Sequence, residues 1–169
     1  VGTQAGRQRR RLLPLPAKNG HRRILAEWRD LKEKRIGRRC KPIDIGGGTT
    51  DVAVISLGGI VRSKSLKIAG DRLGSDIITY MRDEFKILIG ERTAEMIKIS
   101  VGSVLPGGYM EVEVHGRDLL TGLPRQVVVT DSDVREAMSA SIRELVEGVK
   151  DILETTPPEI LSDIMRRGI

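Results

Sequence analysis

The nine residues Ile-Asp-Ile-Gly-Gly-Gly-Thr-Thr-Asp, at positions 43–51, decide the fold of this chain. Three consecutive glycines remove every side chain from a tight hairpin, so its backbone N–H groups can close around an anion. Thr49 and Thr50 add hydroxyl donors for phosphate oxygens, and Asp44 suits a hydrated Mg²⁺, which prefers oxygen ligands and keeps several waters. No Gly-Lys-Ser/Thr follows and a strand pattern comes next, so this is not a Walker A loop. A glycine-rich hairpin without a ligand is the alternative, and the residues favour phosphate binding.

The composition indicates a globular protein with an aliphatic core. A chain of 169 residues fits one domain or two small lobes, and its aromatic residues are one Trp, two Tyr and one Phe. Cys40 is the single cysteine, which excludes a disulfide framework, and His21 and His115 are expected at the surface. No apolar run approaches the ~20 residues of a membrane span, and no signal peptide is recognisable. The predicted compartment is therefore the cytoplasm.

The charge is divided between two segments of opposite sign. Residues 1–42 contain 14 Lys and Arg against 3 acidic residues, whereas residues 43–169 contain 15 against 20. The basic arm has little periodicity outside a short helical pattern at 24–36, and we expect it to be disordered or non-native. Such an arm can also bind nucleic acid or an acidic membrane surface. Because Trp28 is its only aromatic residue for base stacking, no specific nucleic-acid partner is expected.

The segment after the hairpin predicts two strands and then a helix. The strands are expected at 52–57 and 60–68, joined by a Gly58-Gly59 turn that tolerates positive φ. Asp71 opens the helix, because apolar residues recur behind it at helical spacing. These residues are Leu73, Ile77, Ile78, Met81 and Phe85.

The middle of the chain predicts a helix and a hairpin of strands. The helix covers 91–101 and is closed by Gly102, a suitable C′ residue. Apolar residues alternate with polar ones over 110–115, and a second strand is expected at 125–130. The turn-rich segment 116–124 between them is predicted to be a loop.

The last part of the chain predicts a long helix and a short one. Asp131 or Ser132 caps the long helix, which ends at Thr155-Thr156, and Pro157-Pro158 then start the short helix. The apolar residues at helical spacing in the long helix are Val134, Met138, Ile142, Leu145, Val149 and Ile152. Together the elements predict an α/β layer that carries an inserted small α+β lobe.

Residues 43–169 resemble the MreB family of bacterial actin-like proteins. The Asp-Ile-Gly-Gly-Gly-Thr-Thr hairpin resembles the second phosphate loop shared by actin, the seventy-kilodalton heat-shock chaperones and the sugar kinases, so it does not separate these branches. Four further motifs are similar to those of the MreB family in order and spacing. They are Val54–Val61, Ile89–Lys98, Gly116–Pro124 and Thr156–Ile169. The resemblance implies domain II of the actin-like ATPase fold, which is ribonuclease H-like.

The resemblance also implies subdomains and nucleotide contacts. Residues 43–70 and 134–169 would form parts of subdomain IIA, with residues 71–133 inserted as subdomain IIB. Asp44 would orient Mg²⁺ through its waters, and Thr49 would help to place the attacking water. The β- and γ-phosphates of ATP would be held by Gly46, Gly47, Gly48, Thr49 and Thr50.

Two residues of the second predicted helix are implied to reach the adenosine. They are Glu95 and Lys98, which lie one helical turn apart. From spacing alone, the simpler interpretation is an exposed ion pair that contributes less than ~1 kcal/mol. The resemblance reverses that preference.

The function implied by the resemblance is that of a cytoskeletal filament subunit that uses ATP as an assembly switch. Such a protein would form a homopolymer on the inner face of the cytoplasmic membrane and organise the cell-wall elongation machinery and rod shape. The alternatives are another ATPase of the same superfamily, such as a chaperone or sugar kinase, and a basic nucleic-acid-binding module resting on the arm alone. The short inserted lobe and the 116–124 motif favour the first interpretation.

Parts that phosphoryl transfer requires are not recognisable in this sequence. The first phosphate loop and the catalytic glutamate of the family have no counterpart in residues 7–42. Phosphoryl transfer depends on placing water, metal and phosphates together. We therefore expect these 169 residues to be an incomplete fragment without ATPase activity of its own.

Overall fold

The computed structural model describes residues 39–40, 43–56 and 59–167, which form two small sheets and four helices. The first sheet contains β1 (Arg39–Cys40), β2 (Ile43–Ile45), β3 (Thr50–Ser56) and β4 (Gly59–Leu66). The second contains β5 (Ile87–Leu88), β6 (Glu111–Asp118) and β7 (Pro124–Thr130). The helices are α1 (Gly70–Asp83), α2 (Glu91–Val101), α3 (Asp131–Glu154) and α4 (Pro158–Arg167).

The central strand of the first sheet is β3, and all of its partners are antiparallel. Strand β4 pairs with β3 along its whole length on one edge. Strands β1 and β2 therefore both pair with the opposite edge of β3. They pair in one register, with Ile43 opposite Val52 and Arg39 opposite Ser56. Successive residues of β3 point to opposite faces. Val52 and Val54 accordingly pack with Ile152 of α3 on one face.

The last part of the basic arm that the structure describes is residues 39 and 40, and the prediction that residues 1–42 are disordered or non-native stays a prediction. Residues 39 and 40 form β1, because β3 runs past the partners of β2 and pairs with the backbone along that edge. The predicted helix at 24–36 and Gly58 of the predicted turn lie outside the described residues.

The second sheet, α1 and α2 enclose the larger core. The strand order is β5-β6-β7, all antiparallel, and the helices cover the sheet. Ile77 and Met81 of α1 meet Ile97 of α2 in this core, all of them fully buried. The predicted apolar face of α1 is confirmed, because Leu73, Ile78 and Phe85 pack against the same core.

Helix α3 connects the two regions. Its first half contributes Val134 and Met138 to the larger core, and its second half contributes Ile152 to the core under β3. Gly148 lies at the closest approach, since an added Cβ would come within 2.6 Å of Cδ1 of Leu66 on β4. The lobe and the first sheet are therefore packed on one continuous helix.

The ends of the helices were predicted from local sequence patterns with different success. The prediction of a helix over 91–101 is confirmed residue by residue. The predicted cap of α3 is wrong by one residue: Thr130 is the N-cap and forms a reciprocal capping box with Asp133. Gly102 ends α2 but has φ −65°, so it is not a left-handed residue. Glycine fits there because an added Cβ would lie 2.2 Å from the Lys98 carbonyl oxygen.

The predicted loop at 116–124 is shorter in the structure. Residues 116–118 extend β6, and Pro124 already belongs to β7. Strand β5 was not predicted, and its pairing with β6 draws these residues into the sheet. Gly116 permits that approach, since an added Cβ would lie 2.7 Å from the Leu88 carbonyl oxygen. The strand therefore depends on a contact that local sequence does not show.

The turn between β6 and β7 is closed by one carboxylate. Asp118 Oδ1 accepts hydrogen bonds from the N–H groups of Leu120 and Thr121, each at 2.8 Å. The backbone hydrogen bonds from Thr121 and then Leu120, together with Arg125, lower the pKa of Asp118 to about 2. The carboxylate is thus kept ionised and locks the turn.

Among the helices of the described residues, none combines the length and apolar character that a membrane crossing requires.

Candidate phosphate-binding site

The glycine hairpin joins β2 to β3 and presents bare backbone at the surface. The Gly46 N–H donates to the Thr49 carbonyl at 2.9 Å, which closes the turn. Gly47, Gly48 and Thr49 are exposed. An added Cβ at Gly46 would lie 3.1 Å from the Thr49 carbonyl oxygen, so this position favours glycine for steric reasons.

The first turn of α1 determines which way the hairpin faces. The N–H groups at the start of a helix have no partner within it. Here the Gly70 N–H donates to the Gly46 carbonyl at 3.0 Å, and the Asp71 N–H donates to the Gly47 carbonyl at 2.8 Å. The carbonyl side of the hairpin is therefore fixed to α1.

The N–H groups of the hairpin point the opposite way. In a trans peptide the C=O and the following N–H lie on opposite sides of the bond, and no described peptide is cis. Since the Gly46 and Gly47 carbonyls point at α1, the N–H groups of Gly47 and Gly48 point away from it. Two neighbouring N–H groups directed outward from bare backbone are a suitable seat for a phosphate oxygen.

Lys98 of α2 contacts the first residue of α1, where the hairpin meets that helix, and Glu95 is its ion-pair partner. The Lys98 ammonium donates to the Gly70 carbonyl at 3.0 Å and forms an ion pair with Glu95 at 2.5 Å. It would also lie 3.5 Å from an added Cβ at Gly70, so the junction of hairpin and helix is closely packed. The structure thus places Lys98 at the junction of hairpin and α1 and forms the Glu95–Lys98 ion pair, while the adenosine contacts stay a prediction.

Thr49 and Thr50 have different surroundings, although the sequence predicted phosphate contacts for both. Thr49 is exposed in the turn. Thr50 is fully buried, and its hydroxyl donates to the Ile68 carbonyl at 2.5 Å. A buried hydroxyl that donates elsewhere cannot reach a phosphate. In this arrangement Thr50 instead ties the start of β3 to the segment that leads into α1.

Two carboxylates face each other across the strands next to the hairpin. Asp44 on β2 lies directly opposite Asp51 on β3, and both are half-buried. Residues directly opposite each other in an antiparallel pair share one face of the sheet, so both carboxylates lie on the same side. Within the described residues no group of three or more His, Cys, Asp or Glu could hold a metal. An acidic pair fits Mg²⁺, which is bound through one or two carboxylates, substrate phosphates and waters.

Asp71 and Asp51 lie next to the hairpin, and the sequence did not predict either position. Both carboxylate oxygens of Asp71 would lie 3.5 Å from an added Cβ at Gly47. The sequence marked Asp71 only as the first residue of a helix, and no local signal relates it to a hairpin more than twenty residues earlier. The hairpin fixes the register of β2 and β3, and that register places Asp51 opposite Asp44. This register is the signal from which Asp51 could have been predicted.

Known proteins match about three quarters of this chain. The family model described as MreB/Mbl protein matches residues 42–169. The cell shape-determining protein Mbl of Bacillus subtilis is 50% identical over 128 residues, which are 75% of this chain and 38% of that protein. The chain thus spans about two fifths of the length of the relatives it matches.

Solved structures confirm the predicted actin-like α/β fold. MreB5 of Spiroplasma citri, solved bound to AMPPNP, matches with a TM-score of 0.75 and 41% identity, over 78% of this chain and 40% of that one. The MamK double helical filament matches with a TM-score of 0.57 and 22% identity, over 72% and 37%, which supports the fold alone. With a family model that covers most of its length and a relative at 50% identity, the chain belongs to the MreB/Mbl family.

Proposed function

We propose that the hairpin and the start of α1 form one half of an ATP site in an actin-like filament protein that determines cell shape. The observation that carries this proposal is the pair of hydrogen bonds from Gly70 and Asp71 to the Gly46 and Gly47 carbonyls. They turn the N–H groups of Gly47 and Gly48 outward, as a phosphate requires. Membership of the MreB/Mbl family sets aside the chaperone and sugar-kinase alternatives.

Within this half-site each residue has a distinct task. Gly46, Gly47 and Gly48 carry no side chain that would cover the backbone. The backbone N–H donors and the Thr49 hydroxyl can therefore contact the β- and γ-phosphates. Asp44, with Asp51 opposite, would hold Mg²⁺ through water. When bound, the metal supplies positive charge to the phosphate oxygens. Thr50 acts as a positioning residue, because its hydroxyl bonds to the Ile68 carbonyl.

Lys98 and Glu95 would contact the adenosine from α2. Because the Lys98 ammonium also bonds to the Gly70 carbonyl, the nucleoside and phosphate ends of the site share one junction. MreB5 of Spiroplasma citri has been solved bound to AMPPNP and bound to ADP. This supports an adenine nucleotide as the ligand here.

The wider role follows from the family and remains part of the proposal. Intact proteins of this kind would assemble as homopolymers of an actin-like subunit. Thr49 would help to place the attacking water in that complete protein. The partners would be further copies, the cell-wall elongation machinery and the inner face of the cytoplasmic membrane. A specific nucleic acid is not among the proposed partners.

Calorimetry with ATP·Mg²⁺ tests the half-site in the full 169-residue chain. Because closing a cleft completes the phosphate contacts and excludes water, one half alone should bind weakly, with a Kd on the order of 1 mM. Asp44→Ala and Thr49→Ala should abolish the heat of binding. Glu113→Ala, which alters an exposed acid on β6, is the matched control and should leave it unchanged.

Two results would count against the proposal. One is ATP·Mg²⁺ binding that survives both Asp44→Ala and Thr49→Ala, which would place the nucleotide elsewhere. The other is micromolar binding with phosphate release, which would mean that these residues hold a complete catalytic site.

A further inference from the structure

A groove of about 210 Å³ lies away from the phosphate site, between the segment after α2 and the first half of α3. Its floor is apolar, since Met138 and Ile142 also belong to the larger core. Two arginines stand at its sides, and no acidic residue lines it. The lining residues that matter here are Ser103, Val104, Arg135, Met138, Ile142 and Arg143.

The side chain of Arg135 is held by two contacts, but one of its hydrogen-bond donors has no acceptor. Its guanidinium pairs with Asp131, and its Nη2 donates to the Leu105 carbonyl at 3.4 Å. Its Nε–H is buried and finds no acceptor among the described residues. The side chain as a whole is 25% exposed and lines the groove, so a ligand there meets this cation at its exposed part rather than at the buried Nε–H.

Arg143 is the second cation and has no partner in the part of the chain that the structure describes. It is exposed, and it lies two helical turns beyond Arg135, so both reach the same side of α3. Asp131, which pairs with Arg135, is also engaged by the Met110 N–H. The lining of the groove therefore contains two arginines and no acidic residue above an apolar floor.

The rim of the groove is apolar and extends beyond it. Val104 is 54% exposed and Leu105 is 76% exposed, although both are large hydrophobic residues. A free small molecule confined to the groove would leave Leu105 uncovered. A peptide can fill the groove with one side chain and cover the rim with its neighbours.

We propose that this groove binds a peptide segment of a partner protein that carries a large apolar side chain next to an acidic residue. The apolar side chain packs on Met138 and Ile142, and the carboxylate faces Arg143 and the guanidinium of Arg135. Charge complementarity and the exposed rim define this occupant. The site is independent of the proposed ATP site, which lies at the hairpin.

Methyl NMR of the full chain tests this with two blocked peptides, acetyl-Ala-Leu-Asp-Ala-amide and the same peptide with Asn in place of Asp. Titration should shift the methyl signals of Met138 and Ile142 in a saturable way. The Asn peptide should bind about two- to fivefold more weakly, as expected for loss of an exposed ion pair. Arg143→Gln should abolish the difference between the two peptides. Arg117→Gln, an exposed arginine on β6, is the matched control and should preserve it.

Several outcomes would overturn the proposal. No saturable shift, or equal affinity for the Asp and Asn peptides, would show that the groove does not select an acidic segment. Shifts of the same methyl signals with protein concentration alone would identify a second copy of this chain as the occupant. Because Arg143 is exposed, the variant is expected to fold, and its unchanged spectrum away from the groove verifies this.

Discussion

The glycine hairpin and the small lobe built on β5, β6 and β7 hold their shapes by different means. The lobe packs fully buried aliphatic side chains, such as Met81, Ile87 and Ile97, between two helices and a sheet. The hairpin has no side chains to pack at its tip and is held by backbone hydrogen bonds to α1. Since α1 is anchored in the lobe, the lobe holds the exposed backbone of the hairpin in place.

The largest expected effect comes from removing a core side chain of the lobe. Ile97→Ala should lower the free energy of unfolding by about 2–5 kcal/mol, since it removes buried contacts and leaves a cavity. Thermal and urea denaturation measure the change. Met96→Ala, on the exposed side of the same helix, is the matched control and should shift stability by less than about 0.5 kcal/mol. Similar losses in both variants would show that the lobe is not the stable region.

Substitutions of Thr49 and Thr50 should distinguish an effect on stability from an effect on ligand binding. Thr50→Val should cost about 1–3 kcal/mol, because it leaves the Ile68 carbonyl without its donor in a buried position. Thr49→Val should leave stability nearly unchanged and weaken ATP·Mg²⁺ binding. Urea denaturation and calorimetry on both variants make the comparison. If Thr50→Val kept full stability, its assignment as a positioning residue would fail.

The cap of α3 tests how firmly the helix that joins the two regions is held. Thr130→Ala should cost about 0.5–2 kcal/mol, since it removes one half of the capping box. Ser132→Ala, two residues later and exposed, should have little effect and provides the control. The sequence prediction named Asp131 or Ser132 as the cap, so a larger loss at Ser132 would restore that prediction. Denaturation by urea gives both values.

The smallest expected effect is a pH dependence confined to the β6–β7 turn. Because the folded pKa of Asp118 is lowered to about 2, its stabilising contribution is present above the usual aspartate pKa. That contribution is lost as the pH falls through about 2. The stability difference between the natural chain and Asp118→Asn should therefore shrink between about pH 5 and pH 2. A difference that grows on acidification would contradict this assignment.

The bounds of a helix could be predicted from the sequence where the signals that set them lie within a few residues of each other. Helix α2 was predicted with its bounds, since apolar spacing and Gly102 are local signals. Strand β5 and the true length of the 116–124 loop were not, because two residues of β5 acquire strand structure only by pairing with β6. A two-residue strand has too little sequence to show a period.

The sequence by itself determined the glycine hairpin, the family and most of the elements, because a run of glycines between apolar strands restricts the local backbone strongly. The tertiary structure alone decided how the hairpin is oriented and what surrounds it. It directed the Gly46 and Gly47 carbonyls to α1, buried Thr50 while leaving Thr49 exposed, and set Lys98 on the Gly70 carbonyl. These contacts join residues that lie far apart in the chain, so no local pattern encodes them, and they form only when the lobe has packed.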